Sequence, residues 1–129
     1  MLIICLEKNW IELLKLRRIV KATMPEGSVL LGFWDKKKAL QAARDEGCDV
    51  FIMMAGDENI SKKELWRDLD FAKKVKKVNP LVNLIFAFQN TDDIPGMELW
   101  ELRISGFVTK PYRKEDMAKE FANLRYGTR

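Results

Sequence analysis

A chain of 129 residues with 47% hydrophobic and 10% aromatic content has material for one domain with a real core, and we expect a single domain over residues 1–129. Its net charge of +4 is basic but modest, so composition alone does not make it a nucleic-acid binder, and the absence of histidine removes the commonest general base. No apolar run reaches the ~18 residues of a membrane span and no secretory leader is evident, so the expectation is a cytoplasmic protein.

Leu2 to Leu6 predicts a first strand. Asn9 followed by Glu12 has the form of a capping box and predicts a helix to about Ala22, with Trp10, Leu13, Leu14 and Val20 on a buried stripe. Met24 to Gly27 ends it. Ser28 to Phe33 predicts strand 2. Asp35 is the expected cap of a helix over Lys36 to Glu46 that buries Ala39, Leu40 and Ala43, with Gly47 as its stop. Asp49 to Ala55 predicts strand 3, Gly56 to Ser61 a polar loop, and Lys62 to Val78 a helix burying Leu65, Leu69, Ala72 and Val75 before Asn79 and Pro80. Leu84 to Phe88 predicts strand 4 and Gln89 to Asp93 a loop. Pro95 suits the first turn of a helix to about Ile104, and Phe107 to Thr109 predicts strand 5. The last helix covers about Lys114 to Arg125, with Met117, Phe121 and Leu124 at helical spacing.

Strands alternating with helices five times indicate an α/β fold, a five-stranded parallel sheet covered on both faces. Cys5 and Cys48 lie in apolar runs and read as buried thiols rather than a disulfide or metal pair. Met53 and Met54 read as core filler. The lysines at 36–38 and at 73, 74, 76 and 77 read as solvated helix faces, with a weak basic patch as the competing reading. No Gly-rich phosphate loop, metal-ligand cluster or Ser or Cys triad is present, so neither an enzyme nor a cofactor is expected.

The chain also carries Gly106-Phe-Val-Thr-Lys-Pro-Tyr112, where Lys110 is held in extended backbone by the following proline at the end of an apolar run. The order of elements, this strand-Lys-Pro-helix ending, and the segments VNLIFAFQNTDD, RISGFVTKPYRKEDM and NLRY resemble the receiver domains of bacterial response regulators along the whole chain. The resemblance implies the flavodoxin-like strand order 2-1-3-4-5 with a site at the carboxyl ends of the strands. In that family an acidic pair after strand 1 holds Mg²⁺, an aspartate ending strand 3 accepts phosphoryl, a Thr or Ser ends strand 4, and a lysine before proline ends strand 5.

Carried over residue by residue, the acidic pair falls on Leu6 and Glu7, the acceptor on Met54, the hydroxyl on Phe88, the lysine on Lys110 and the aromatic switch position on Phe107. The resemblance therefore implies a degenerate receiver that is not phosphorylated and holds no metal. Lys110 is expected to pair with Glu7, or with Asp57 or Glu58 if the loop after strand 3 folds back.

The fourth helix, fifth strand and fifth helix are the family's output and dimer face, which places Trp100, Arg103, Val108 and Lys119 at a possible interface. For Trp100 core packing is the competing reading. The implied function is a protein-interaction or dimerisation module in signalling or transcription regulation. Two alternatives stand beside it. One is an unusual phospho-accepting receiver using Asp57 or Glu58. The other is a basic nucleic-acid-binding module using helices 2 and 3, although nucleic acid is not the partner expected of this domain alone.

Overall fold

The fold is taken from a computed structural model that describes residues 1–55, 62–89 and 96–127, the side chains of 62–65 excepted. The chain runs β1 (Leu2–Leu6), α1 (Trp10–Thr23), β2 (Val29–Phe33), α2 (Lys36–Glu46), β3 (Val50–Ala55), α3 (Lys62–Val78), β4 (Asn83–Phe88), α4 (Gly96–Glu101), β5 (Gly106–Thr109) and α5 (Lys114–Ala122). All strand pairs are parallel, in the order β2-β1-β3-β4-β5. Leu6 lies opposite Phe33 on one side and Met53 on the other, and Phe88 lies between Ala55 and Thr109.

Side chains alternate across the sheet, so each strand feeds two cores. Ile4, Phe51, Met53, Leu84 and Phe86 pack under α2, α3 and α4, against Ala39, Ala43, Leu69, Ala72, Val75 and Leu99. Ile3, Cys5, Val50, Ile52, Ile85, Ala87 and Val108 face the other way, against Leu16, Ile19 and Val20 of α1 and Met117 of α5. Both cysteines are buried free thiols. Among the described residues, no helix is long and apolar enough to cross a membrane.

Several expectations shift in detail. α1 buries Glu12, Leu16, Ile19 and Val20, whereas Trp10 is 68% exposed and Leu14 lies outside the core. Asn9 caps α1 by accepting from the Ile11 and Glu12 amides, but the reciprocal half of the box is absent. The Asn9 amide donates instead to Glu7 Oε2 at 3.1 Å.

In α2 Leu40 is only half-buried beside Ala39 and Ala43, while Leu69, Ala72 and Val75 of α3 are buried as expected. α4 stops at Glu101 because Arg103 adopts left-handed backbone (φ 53°), with its amide on Trp100 O. α5 ends at Ala122. The following residues run to the amino end of β4, where buried Asn83 accepts from the Tyr126 amide at 2.7 Å and donates to Tyr126 O at 3.0 Å. The expected loop at 56–61, Pro95 and the Leu65 side chain lie outside the described residues.

Candidate functional site at the carboxyl ends of the strands

Glu7 follows β1, and its amide continues the β1–β2 ladder by donating to Phe33 O at 2.8 Å. Being two residues after Cys5, it takes the α1–α5 side of the sheet, and it is only 2% exposed. Lys110 arrives on the same side, two residues after Val108, with its amide on Phe88 O. The peptide bond to Pro111 is cis. Lys110 Nζ lies 2.6 Å from Glu7 Oε1, an ion pair at angles outside those of a hydrogen bond, and Glu7 Oε2 holds the Asn9 amide. Among the described residues, Glu7 is the acid in contact with Lys110. Asp57 and Glu58 lie outside the described residues.

Behind this pair is a buried polar layer that the sequence reading missed. Tyr112 is buried, and its amide donates to Glu12 Oε2 at 3.0 Å, while Glu12 Oε1 pairs with Lys15 at 3.1 Å. The Tyr112 hydroxyl sits near Cys5 and Glu7, outside hydrogen-bond geometry. Burial pushes the Cys5 thiol far up, and the Glu7 charge pushes the same way. The Tyr112 phenol rises for the same first reason, with Cys5 and Glu7 adding to it. The available signal was Glu12 itself, an acid on the stripe that Leu16 and Ile19 continue.

The other assigned positions divide between places. Met54 is half-buried, and its Sδ accepts from the Lys8 amide at 3.4 Å. Leu6 and Phe88 do not face the Glu7–Lys110 pair: both are core residues on the α2–α3–α4 side. Phe88 stacks on Phe86 and meets the edge of Phe107, which is 46% exposed. Trp100 is 78% exposed, so core packing is not its role. Arg103 and Lys119 are exposed, but Val108 is buried. Alternation along β5 turns Phe107 and Thr109 outward and Val108 inward, so Val108 cannot present an interface.

Mg²⁺ demands near-octahedral oxygen ligation, usually with carboxylates. Among the described residues that follow β1, β3 and β5, the carboxylate Glu7 is neutralised by an ammonium, its sequence neighbour is a buried leucine, and a thioether accepts from the Lys8 amide. Among the described residues no group of three or more His, Cys, Asp or Glu side chains is placed to hold a metal ion. These residues do not fit Mg²⁺.

No family model matches the chain, and no curated protein sequence matches it. Solved structures do. A response regulator from Thermotoga maritima superposes with a TM-score of 0.77 at 12% identity, covering 94% of this chain and 93% of that one. A CheY-like response regulator receiver domain protein from Methanospirillum hungatei gives 0.74 at 12% identity over 94% and 90%. An orphan response regulator of H. pylori gives 0.75 at 17% identity over 97% of each chain. Identities this low speak to architecture alone. The chain has the CheY-like receiver fold.

Proposed function

We propose that this chain is a phosphorylation-independent signalling module of the receiver type, acting by binding a protein or a second copy of itself through the face formed by α4, β5 and α5. The observation that carries the reading is the ion pair between Lys110 and Glu7. In the resembled family this lysine is the donor to the phosphoryl group. Here its nitrogen lies 2.6 Å from a buried carboxylate, which would compete with a phosphoryl group for it. Met54 adds to the case, because a thioether offers no oxygen nucleophile for an acyl phosphate.

On the proposed face Trp100, Arg103 and Lys119 are exposed, and Phe107 takes the β5 position that Val108 cannot. Trp and Arg are the residues most enriched where binding energy concentrates.

The test is incubation with acetyl phosphate and Mg²⁺ followed by intact-mass measurement. The expected result is an unmodified chain. A stoichiometric phosphoryl adduct, mapped to any residue including Asp57 or Glu58, overturns the reading.

A further inference from the structure

The chain has four tryptophans, and all are at least half exposed: Trp10 68%, Trp34 74%, Trp66 52% and Trp100 78%. Trp10 opens α1 and Trp34 follows β2, so both stand at the carboxyl edge of the β1–β2 pair. There they line one open groove of about 350 Å³ together with Leu13, Lys8 and Lys38. Its apolar floor is fixed by Gly32, where a Cβ would strike the Leu13 methyl groups.

The charge beside this groove is placed against the helix it sits on. Lys36, Lys37 and Lys38 fill the first turn of α2, which contains no acid, although the amino end of a helix is its positive pole and disfavours cations. Asp68 answers Lys36 at 2.9 Å. Lys8, Lys37 and Lys38 form no ion pair among the described residues. Of the two acids at the rim of the groove, Glu7 is paired with Lys110, while Asp35 caps α2 by accepting from the Lys37 amide at 2.8 Å and keeps its charge among the lysines. On the far side of the same turn Lys36 and Lys37 line a second groove, between α2 and α3, with Arg67, Lys74 and one acid, Asp70. A basic strip therefore runs from Lys8 across the start of α2 to Lys74, with two aromatic faces at one end. The three lysines of the first turn outnumber the one acid that caps it, Asp35.

We propose that this strip binds single-stranded nucleic acid, with bases stacked on Trp10 and Trp34 and phosphates along the lysines. Proteins that hold single strands combine these two parts, a positive track and aromatic platforms. A small nucleotide fits less well, because small-molecule sites enclose most of their ligand and these two rings are largely in solvent. A duplex hides the base faces the rings would use. An acidic peptide would need the lysines but not the tryptophans.

The experiment is fluorescence anisotropy of a labelled oligothymidylate of about a dozen nucleotides, a length within one single-strand site, titrated with the full chain at several salt concentrations. We expect Trp10→Ala and Trp34→Ala each to weaken binding by about 5-fold to 150-fold, the value of one stacked base, with Trp34→Phe retaining most of the affinity. Lys37→Glu combined with Lys38→Glu should flatten the logarithmic salt dependence by about 1.4, at ~0.7 per lost phosphate contact. Lys21→Glu, a charge reversal in the last turn of α1, should change little.

A duplex of the same length, thymidine monophosphate or polyglutamate competing as well as the strand overturns the proposal, as do tryptophan variants that bind normally. Thermal melts check that each variant folds. If Trp34→Ala does not, quenching of the intact protein's tryptophan emission by the oligonucleotide decides, and its absence overturns the proposal. None of these readouts depends on Lys110, so this surface and the proposed signalling role stand or fall separately.

Discussion

At the scale of single residues, Glu7 is 2% exposed, and a charge so far from water is tolerable only when answered. Lys110 answers it with a side chain itself 10% exposed. Replacing one partner leaves the other charge stranded, so Lys110→Met should cost about 3–5 kcal/mol, whereas breaking even is expected when both charges leave together. Glu7→Gln with Lys110→Met keeps an oxygen for the Asn9 amide and should recover most of the loss. Urea unfolding of the wild type, single and double variants measures this. A single variant within about 1 kcal/mol of wild type would mean the pair is replaceable by water.

Two buried thiols and a buried phenol bear on stability at alkaline pH. Burial pushes the Cys48 thiol from 9.0 up to about 12, and the Cys5 thiol and Tyr112 phenol are also raised. The folded chain then keeps protons that the unfolded chain releases, so unfolding gains free energy as pH rises. Stability should hold below about pH 9 and decline progressively toward about pH 12, and Cys48→Ala should soften the decline. A denaturation series across that window checks it. At about pH 8 a thiol reagent should label neither cysteine until the chain unfolds.

Among the elements, α1 is tied to a segment far along the chain. Glu12 turns into the core to take the Tyr112 amide, 100 residues away in sequence. Glu12→Leu should leave that amide buried and unpaired, at about 1–3 kcal/mol, whereas Glu12→Gln keeps an acceptor and should lose less. Equal losses in thermal melts would mean the amide finds another partner.

The same helix marks where sequence reading fails. Its apolar residues Trp10, Ile11, Leu13, Leu14, Leu16, Ile19 and Val20 occupy more than one stripe, so periodicity alone could not choose between the Trp10–Leu14 row and the Leu16–Ile19–Val20 row. Glu12 looked like half of a capping box because the distant amide that claims it is invisible locally. The strands were legible because a parallel sheet covered on both faces writes each one as an unbroken apolar run, as in LIICL and VFIMMA. At the site Lys110 was legible from the proline after it and Glu7 from its place after β1. That Leu6 and Phe88 would turn away from the pair follows from strand parity, which matching position by position ignores.

For the whole molecule, exposed aromatic surface is divided between two regions. Among the described residues, Trp10 and Trp34 stand at the β2 side of the sheet, and Trp66, Met97, Trp100 and half-exposed Phe107 toward the β5 side, with Trp66 and Met97 lining one groove of α3 and α4. Isolated exposed apolar residues need no explanation, but clustered tryptophans on a chain that otherwise buries its apolar strands do. A stable pair of copies needs about 800 Å² from each partner, roughly a tenth of the 8068 Å² surface here. The proposed face carries both signs of charge, Arg103 and Lys119 beside Glu98 and Glu101. If the chain self-associates there, Trp100→Ala should weaken the dimer by about 30-fold, the effect of losing a hot spot worth ~2 kcal/mol, and Arg103→Glu should raise its sensitivity to salt. Sedimentation velocity over a concentration series reads both. An unchanged dimer fraction in the two variants removes this face from consideration. If Trp34→Ala breaks the dimer instead, self-association belongs to the β2 edge, where it would compete directly with the binding of a single strand.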